Sequence, residues 1–191
     1  ELAALYATCQ KYDLRLFIDG ARLGYGLVSA ACDYDLPFLA KHCDVFYIGG
    51  TKVGAMMGEA VVFSGMKAPK YFFTNVKRHG ALLAKGRMLG IQFDTLFTDE
   101  LYFKISRHAI AMATRIRSIF EKHGIAIAYD SPTNQQFVVL SPALYEALSP
   151  KVAFEIWERK SEHEIICRFV TSWATKEEEL DELDRILQAY A

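Results

Sequence analysis

Two short apolar runs, each ending in a turn with unusual chemistry, constrain this chain more than any other feature. Leu14-Arg15-Leu16-Phe17-Ile18-Asp19 and Asp44-Val45-Phe46-Tyr47-Ile48 have the length and composition of strands, and helix-like stretches precede and separate them. The patterning predicts a helix over 2–12, a strand over 14–19, helices over 23–31 and 36–42, and strands over 44–48 and 59–63. Such alternation favours an α/β sheet with buried parallel strands, whose ligands collect at the carboxyl ends of the strands. Asp19 and Lys52 fall at, or just past, two of these ends.

The second half has a different character. From Tyr71 to Gly124 the pattern is helical, and Ile105, Ala109, Met112, Ile116 and Phe120 form one apolar stripe along a helix over 100–123 that is expected to bridge two lobes. Gly124 is a natural stop. Strands are expected over 136–140, 152–158 and 164–171, the last two as a hairpin. A closing helix is expected from Thr175, with Glu178 completing a capping box and Leu180, Leu183, Ile186, Leu187 and Tyr190 buried. The resulting division is a large α/β domain over 1–98, followed over 99–191 by the bridging helix and a small α+β domain.

Composition narrows the function classes. With 22 basic and 23 acidic residues spread along the chain, net charge is −1 and no basic stripe suggests nucleic acid. No apolar run approaches the length of a membrane span. Cys9, Cys32, Cys43 and Cys167 are widely spaced and read as buried reduced thiols, which favours a cytoplasmic location. The five histidines show no metal-ligand spacing, so no metal site is expected. The sequence starts at Glu1 inside an amphipathic helical pattern that is not a signal peptide, and the chain is expected to continue upstream.

Three positions carry potential chemistry. Asp19 closes an apolar strand and is followed by Gly20 and Ala21, both small enough to let a flat ring approach, and then by Arg22. The plain alternative is a turn aspartate that caps the next helix. Lys52 lies in Gly49-Gly50-Thr51-Lys52-Val53-Gly54, where a lysine amine can be held near a ligand and condense with an aldehyde. Its glycines and Thr51 would offer N–H groups and a hydroxyl to a phosphate, although loop lysines are more often solvated and idle. An acid placed to meet a pyridinium nitrogen, together with such a lysine, suggests pyridoxal phosphate chemistry. Arg168 sits in the apolar strand Ile165-Ile166-Cys167-Arg168-Phe169-Val170, on the face of Ile166 and Val170. Its guanidinium needs a carboxylate, either a substrate's or, as a structural salt bridge, that of Glu155 or another acid of the same lobe. Lys77, Arg78, Lys85 and Arg87 read mainly as a solvated face, Asn134 as a turn residue, and Tyr71-Phe72-Phe73 as core or an interface patch.

Leu16-Phe17-Ile18-Asp19-Gly20-Ala21-Arg22-Leu23 and Asp44 through Ala55 together resemble the L-threonine aldolase family, within the β-eliminating lyase and threonine aldolase group of fold-type I pyridoxal phosphate enzymes. The resemblance continues through Gly58–Phe63, Lys77–Gln92 and Arg168-Phe169-Val170-Thr171-Ser172-Trp173. It implies part of an aspartate aminotransferase-like large domain plus a small C-terminal domain. It also implies a lyase that cleaves the Cα–Cβ bond of threonine or allo-threonine to give glycine and an aldehyde. By the same resemblance Lys52 would attach pyridoxal 5'-phosphate covalently, Asp19 would bond to its pyridine nitrogen, and Arg22 would lie beside its phenolic oxygen. Ala21 and Thr51 would complete the cofactor contacts in this chain, and Arg168 would bind the substrate's α-carboxylate. The family's ring-stacking histidine and phosphate loop would lie upstream of Glu1, and a homodimer or homotetramer is implied. The readings to be separated from this one are β-elimination of the tyrosine phenol-lyase or tryptophanase type, and a non-catalytic fragment of such an enzyme.

Overall fold

The computed structural model describes residues 1–190. The chain forms two compact units, one from residues 1–27 and 32–103, the other from 28–31 and 104–191.

The first unit runs α1 (Leu2–Lys11), β1 (Phe17–Ile18), α2 (Leu23–Leu27), α3 (Leu36–Lys41), β2 (Val45–Gly49), β3 (Glu59–Phe63), α4 (Phe72–Arg78) and α5 (Arg87–Phe97). Its sheet has the order β1-β2-β3, with β1 parallel to β2 and β3 antiparallel to it. Leu23, Leu39, Cys43 and Phe46 form one core cluster, with Leu2, Leu16, Ile18, Ile48 and Val62 packed against it. The parallel pairing follows the sequence pattern, but the strand over 14–19 shortens to two residues. Leu16 is tied down differently: its N–H donates to the buried Asp44 carboxylate at 2.8 Å, and its carbonyl accepts the Asp44 N–H at 3.0 Å. Nor is the strand buried on both faces, for Phe17 is 57% exposed. The helix expected over 23–31 stops at Leu27, because the Ser29 hydroxyl accepts the Ala31 N–H and sets up a local turn.

The long helix α6 (Leu101–Lys122) begins in the first unit and continues into the second. It ends where Gly124 takes a φ of 69° and the Ile125 N–H returns to the Phe120 carbonyl. There follow β4 (Ile127–Tyr129), β5 (Gln135–Leu140), α7 (Pro142–Leu148), β6 (Glu155–Arg159), β7 (Ile165–Val170) and α8 (Glu177–Gln188). The sheet is antiparallel throughout, in the order β4-β5-β7-β6. Alternation along β5 and β7 sends Val138, Leu140, Ile165, Cys167 and Phe169 into a core shared with Met112, Ile116 and Phe120 of α6 and Leu180, Leu183 and Leu187 of α8.

Strand β4 and helix α7 carry too few patterned residues to stand out in sequence. The closing helix starts two residues late: Glu179, not Glu178, accepts the Lys176 N–H at 3.0 Å, while the Thr175 hydroxyl takes the Ser172 N–H at 2.9 Å. Tyr190 is 46% exposed, its hydroxyl meeting Lys151 at the surface. Asn134 is buried, with its amide donating to the Thr171 carbonyl at 2.6 Å, so it ties β5 to the end of β7. All four cysteines are free thiols, but only Cys43 and Cys167 are buried. Burial pushes the Cys167 thiol up to about 11 and raises Cys43 as well. Tyr71 and Phe73 are exposed, and Phe72 packs edge-on against Phe63. Among the described residues no helix is long and apolar enough to cross a membrane.

Candidate active site

In the first unit, the turns after β1 and β2 close on each other backbone to backbone. The Gly49 N–H donates to the Gly20 carbonyl at 2.9 Å. A Cβ on Gly20 would lie 1.7 Å from the Tyr47 carbonyl oxygen, and one on Gly49 would lie 2.5 Å and 2.6 Å from the carbonyl oxygens of Ala21 and Gly20. The space beside Gly20, expected to admit a ligand ring, is therefore filled by the neighbouring strand. Its small size brings the Asp19 turn against the Lys52 turn.

The Lys52 turn is a single 3₁₀ turn, Thr51–Val53, closed by Gly54 at a φ of 91°. Several of its polar groups have partners within the chain. The Gly50 N–H donates to Glu59 Oε2 at 2.6 Å and the Thr51 hydroxyl to Glu59 Oε1 at 3.2 Å. The hydroxyl of buried Tyr25 donates to the Lys52 carbonyl. Tyr102, also buried, donates to the Gly49 carbonyl and accepts the Gly24 N–H, both at 3.0 Å. Beyond Lys52, Gln92 of α5 accepts the Met56 N–H at 2.7 Å and donates to the Met57 carbonyl at 3.2 Å. Of the donors that the sequence offered to a phosphate, the Gly49 N–H is held by Gly20, and the Gly50 N–H and Thr51 hydroxyl by Glu59. The Lys52 side chain itself is exposed.

Asp19 is exposed at the end of β1, and its Oδ1 accepts both the Ala21 N–H, at 3.0 Å, and the Tyr47 hydroxyl. These two bonds, the tyrosine's being the stronger influence, hold its carboxyl below the ordinary aspartate value, and the charges of Lys52 and Arg22 act in the same direction. Asp19 is accordingly an anion at neutral pH. Arg22 is half-buried, and its Nε is buried with no hydrogen-bond partner in the chain. Lys52 and Arg22 thus lie near enough to Asp19 for their charges to act on it, and Arg22 keeps an unused N–H. Ala21 contributes its backbone N–H to Asp19.

Arg168 lies in the second unit, opposite Phe137 and Glu155 in the adjacent strands and on the sheet face away from the core. Its side chain is 18% exposed and pairs with Glu155. A second bond runs to Gln135 Oε1 at 3.0 Å, the Trp157 ring lies 5.5 Å away, and Nε is buried and unpartnered. The salt bridge to Glu155, one of the two partners the sequence allowed, is present.

The sequence reading missed Glu59, Tyr25, Tyr47, Tyr102 and Gln92. Tyr47 was legible in principle, since it shares a face of β2 with Gly49. Glu59 was legible as an acid opening an otherwise apolar strand. Nothing local marks Tyr102 or Gln92, whose partners lie far off in sequence.

The model of the beta-eliminating lyase family matches residues 1–143, and the chain belongs to that family. Low specificity L-threonine aldolase of a Pseudomonas species is 29% identical over 190 residues, covering 99% of this chain and 54% of that protein. The solved threonine aldolase of Leishmania major superposes with a TM-score of 0.95 at 36% identity, over all of this chain and 56% of that one. The serine palmitoyltransferase of Sphingomonas wittichii, at 12% identity and a TM-score of 0.67 over 98% of this chain and 50% of that one, shares the fold alone. The fold is therefore that of the fold-type I enzymes. The chain spans about half the length of the relatives it matches.

Proposed function

We propose that this chain carries the lysine, ring-acid and carboxylate-binding residues of a pyridoxal 5'-phosphate-dependent lyase. In this reading the enzyme cleaves threonine or allo-threonine, and related β-hydroxy amino acids, to glycine and an aldehyde. The observation that carries the reading is the closed corner: Gly20 and Gly49 hold the Asp19 and Lys52 turns together, and the Lys52 charge acts on Asp19. The likeness to threonine aldolases supports this reaction over others in the family.

The residues fit the cofactor at its ring and aldehyde end. Asp19, anionic and doubly hydrogen-bonded, suits a protonated ring nitrogen. The unpartnered Arg22 Nε suits an acceptor such as the phenolic oxygen. The Lys52 amine suits the aldehyde. Ala21 acts by orienting Asp19, and Thr51 acts through the turn, its hydroxyl being taken by Glu59. When bound, the cofactor supplies a ring that accepts the electron pair of a breaking Cα bond. Arg168 takes the substrate's α-carboxylate and so decides which Cα bond is aligned for cleavage. Lys52 would hold the cofactor through its amine, and an amine at that position could also carry a proton. A cytoplasmic homodimer or homotetramer belongs to the same proposal.

Lys52→Ala in the full-length protein is expected to abolish both borohydride trapping of pyridoxal 5'-phosphate and acetaldehyde release from threonine. Trapping on another lysine, or retained turnover, overturns the proposal. Pyruvate and ammonia from tyrosine or tryptophan, with no acetaldehyde from threonine, would instead select β-elimination, which the family also covers by name.

A further inference from the structure

We propose that Glu59 is a positioning residue for Lys52, its carboxylate bracketing the turn from which the lysine amine is presented. The inference rests on reading Lys52 as the lysine that attaches the cofactor.

The two oxygens of Glu59 take one donor each, the Gly50 N–H at 2.6 Å and the Thr51 hydroxyl at 3.2 Å. These are the two residues immediately before Lys52. Hydrogen bonds to a carboxylate are shorter and stronger than neutral ones, and the 2.6 Å bond from Gly50 has that length, while the Thr51 hydroxyl adds a second, longer tie. The turn leaves little room for slack elsewhere: a Cβ on Gly50 would lie 2.8 Å from the Gly58 carbonyl oxygen and 2.9 Å from the Phe93 ring. Glu59 opens β3 and is paired with Gly49 in the β2–β3 register, so the strand ladder delivers its carboxylate to the turn. Lys52 is exposed, and the direction of its amine is therefore set by the turn rather than by packing around the side chain.

Three side chains grip this turn: Glu59, Tyr25 on the Lys52 carbonyl, and Tyr102 on the Gly49 carbonyl. The two tyrosines are buried rings whose loss would open holes in the core. Glu59 is exposed, so its removal tests position without disturbing packing. The bracket also gives a carboxylate of the chain two donors of the glycine-rich turn, the Gly50 N–H and the Thr51 hydroxyl.

The test compares wild type, Glu59→Ala and Glu59→Gln in the full-length protein. Each is incubated with pyridoxal 5'-phosphate and reduced with borohydride, and the label on Lys52 is followed over time by mass spectrometry. Amide hydrogen exchange at Gly50 and Thr51 is measured on cofactor-free protein, together with Tm. Glu59→Ala is expected to slow labelling of Lys52 about tenfold or more, within the roughly 100-fold that a displacement of about 1 Å can cost. Exchange at Gly50 should quicken while Tm stays close to wild type. Glu59→Gln keeps one acceptor but turns an amide toward the other donor, and should fall between the two. A merely structural role would lower Tm and leave labelling well below Tm unchanged. Wild-type labelling rates in Glu59→Ala, or slow labelling with wild-type exchange at Gly50, overturn the assignment. Should Glu59→Ala not fold, Glu59→Gln is judged by the same two readings. If Lys52 of the wild-type protein takes no label at all, the proposed function falls and the role of Glu59 with it, an outcome distinct from labelling that ignores the substitution.

Discussion

The corner that holds Asp19 and Lys52 and the sheet that holds Arg168 solve the same problem in opposite ways. In the corner, backbone closes on backbone: Gly20 and Gly49 leave no room for a side chain, and four other side chains grip the turns from outside. In the sheet, a regular ladder does the work. Register alone puts Arg168 in line with Phe137 and Glu155. The corner is thus fixed by exclusion and its glycines tolerate little change, whereas the sheet is fixed by period and its pairing does not depend on the side chain at Arg168. The contrast predicts where substitutions should hurt the fold and where they should hurt only chemistry.

Gly20→Ala should break the corner most severely. Its Cβ would meet a backbone oxygen at 1.7 Å, and no flexible side chain can give way. Adding atoms to a filled space commonly costs about 1–3 kcal/mol, and a clash with backbone should exceed that, at about 4 kcal/mol or more. Gly90→Ala is the matched control: it lies within α5 with nothing within 4 Å of the new Cβ, and should be neutral or stabilising by about 0.4–1 kcal/mol. Urea denaturation of the two variants measures both. Equal costs would mean that the corner is not tightly closed, and the comparison with the sheet would lapse.

Arg168→Ala should show the reverse profile. The residue is on an outward face, so the fold should tolerate its loss, while substrate capture should weaken by roughly 2–5 kcal/mol if a desolvated charge pair with the α-carboxylate is lost. Glu155 sharpens the point. Its side chain is 68% exposed, and removing it should change stability by no more than about 1 kcal/mol. Steady-state kinetics and thermal melts on Arg168→Ala decide the matter: a large fall in Tm with an unchanged KM would make Arg168 a structural arginine, held by Glu155 and Gln135 for its own sake.

The same contrast explains what could be read from the amino-acid order. Period and glycine placement are local signals, and they located β2, β3, α6 and the α8 core positions, and they singled out Asp19, Arg22, Lys52 and Arg168 as candidates. What the glycines were for was not local. Gly20 looked like room for a ligand, yet the room is taken by the Tyr47 carbonyl, a residue that only folding brings near. Thr51 and Gly50 looked like free donors for the same reason, since Glu59 reaches them only through the β2–β3 pairing. The shortness of β1 and the exposure of Phe17 were equally hidden, because apolar composition reports burial potential and not what covers a strand.

Tyr47→Phe offers the finest probe of the corner, because it alters one hydrogen bond and almost no volume. The Tyr47 hydroxyl is the largest influence holding Asp19 below its ordinary value of 3.8, ahead of the Ala21 N–H and the charges of Lys52 and Arg22. A carboxyl whose pKa is lower in the folded chain than in the unfolded one lends stability above the unfolded value. That contribution is lost as pH falls through the folded value. Removing the hydroxyl should therefore move the Asp19 midpoint upward toward 3.8 without reaching it, since the remaining three influences persist. The acid limb of the stability curve should then lose less in total: its loss still begins near the unfolded value but is complete at a higher pH than in wild type. Carboxyl-carbon NMR titration of Asp19 reads the midpoint directly, and acid denaturation reads its consequence. A midpoint identical to wild type would show that Tyr47 does not reach the carboxylate in solution. Asp19 would then owe its ionisation to Ala21 and to the two cations, and the corner would be held at that point by backbone alone.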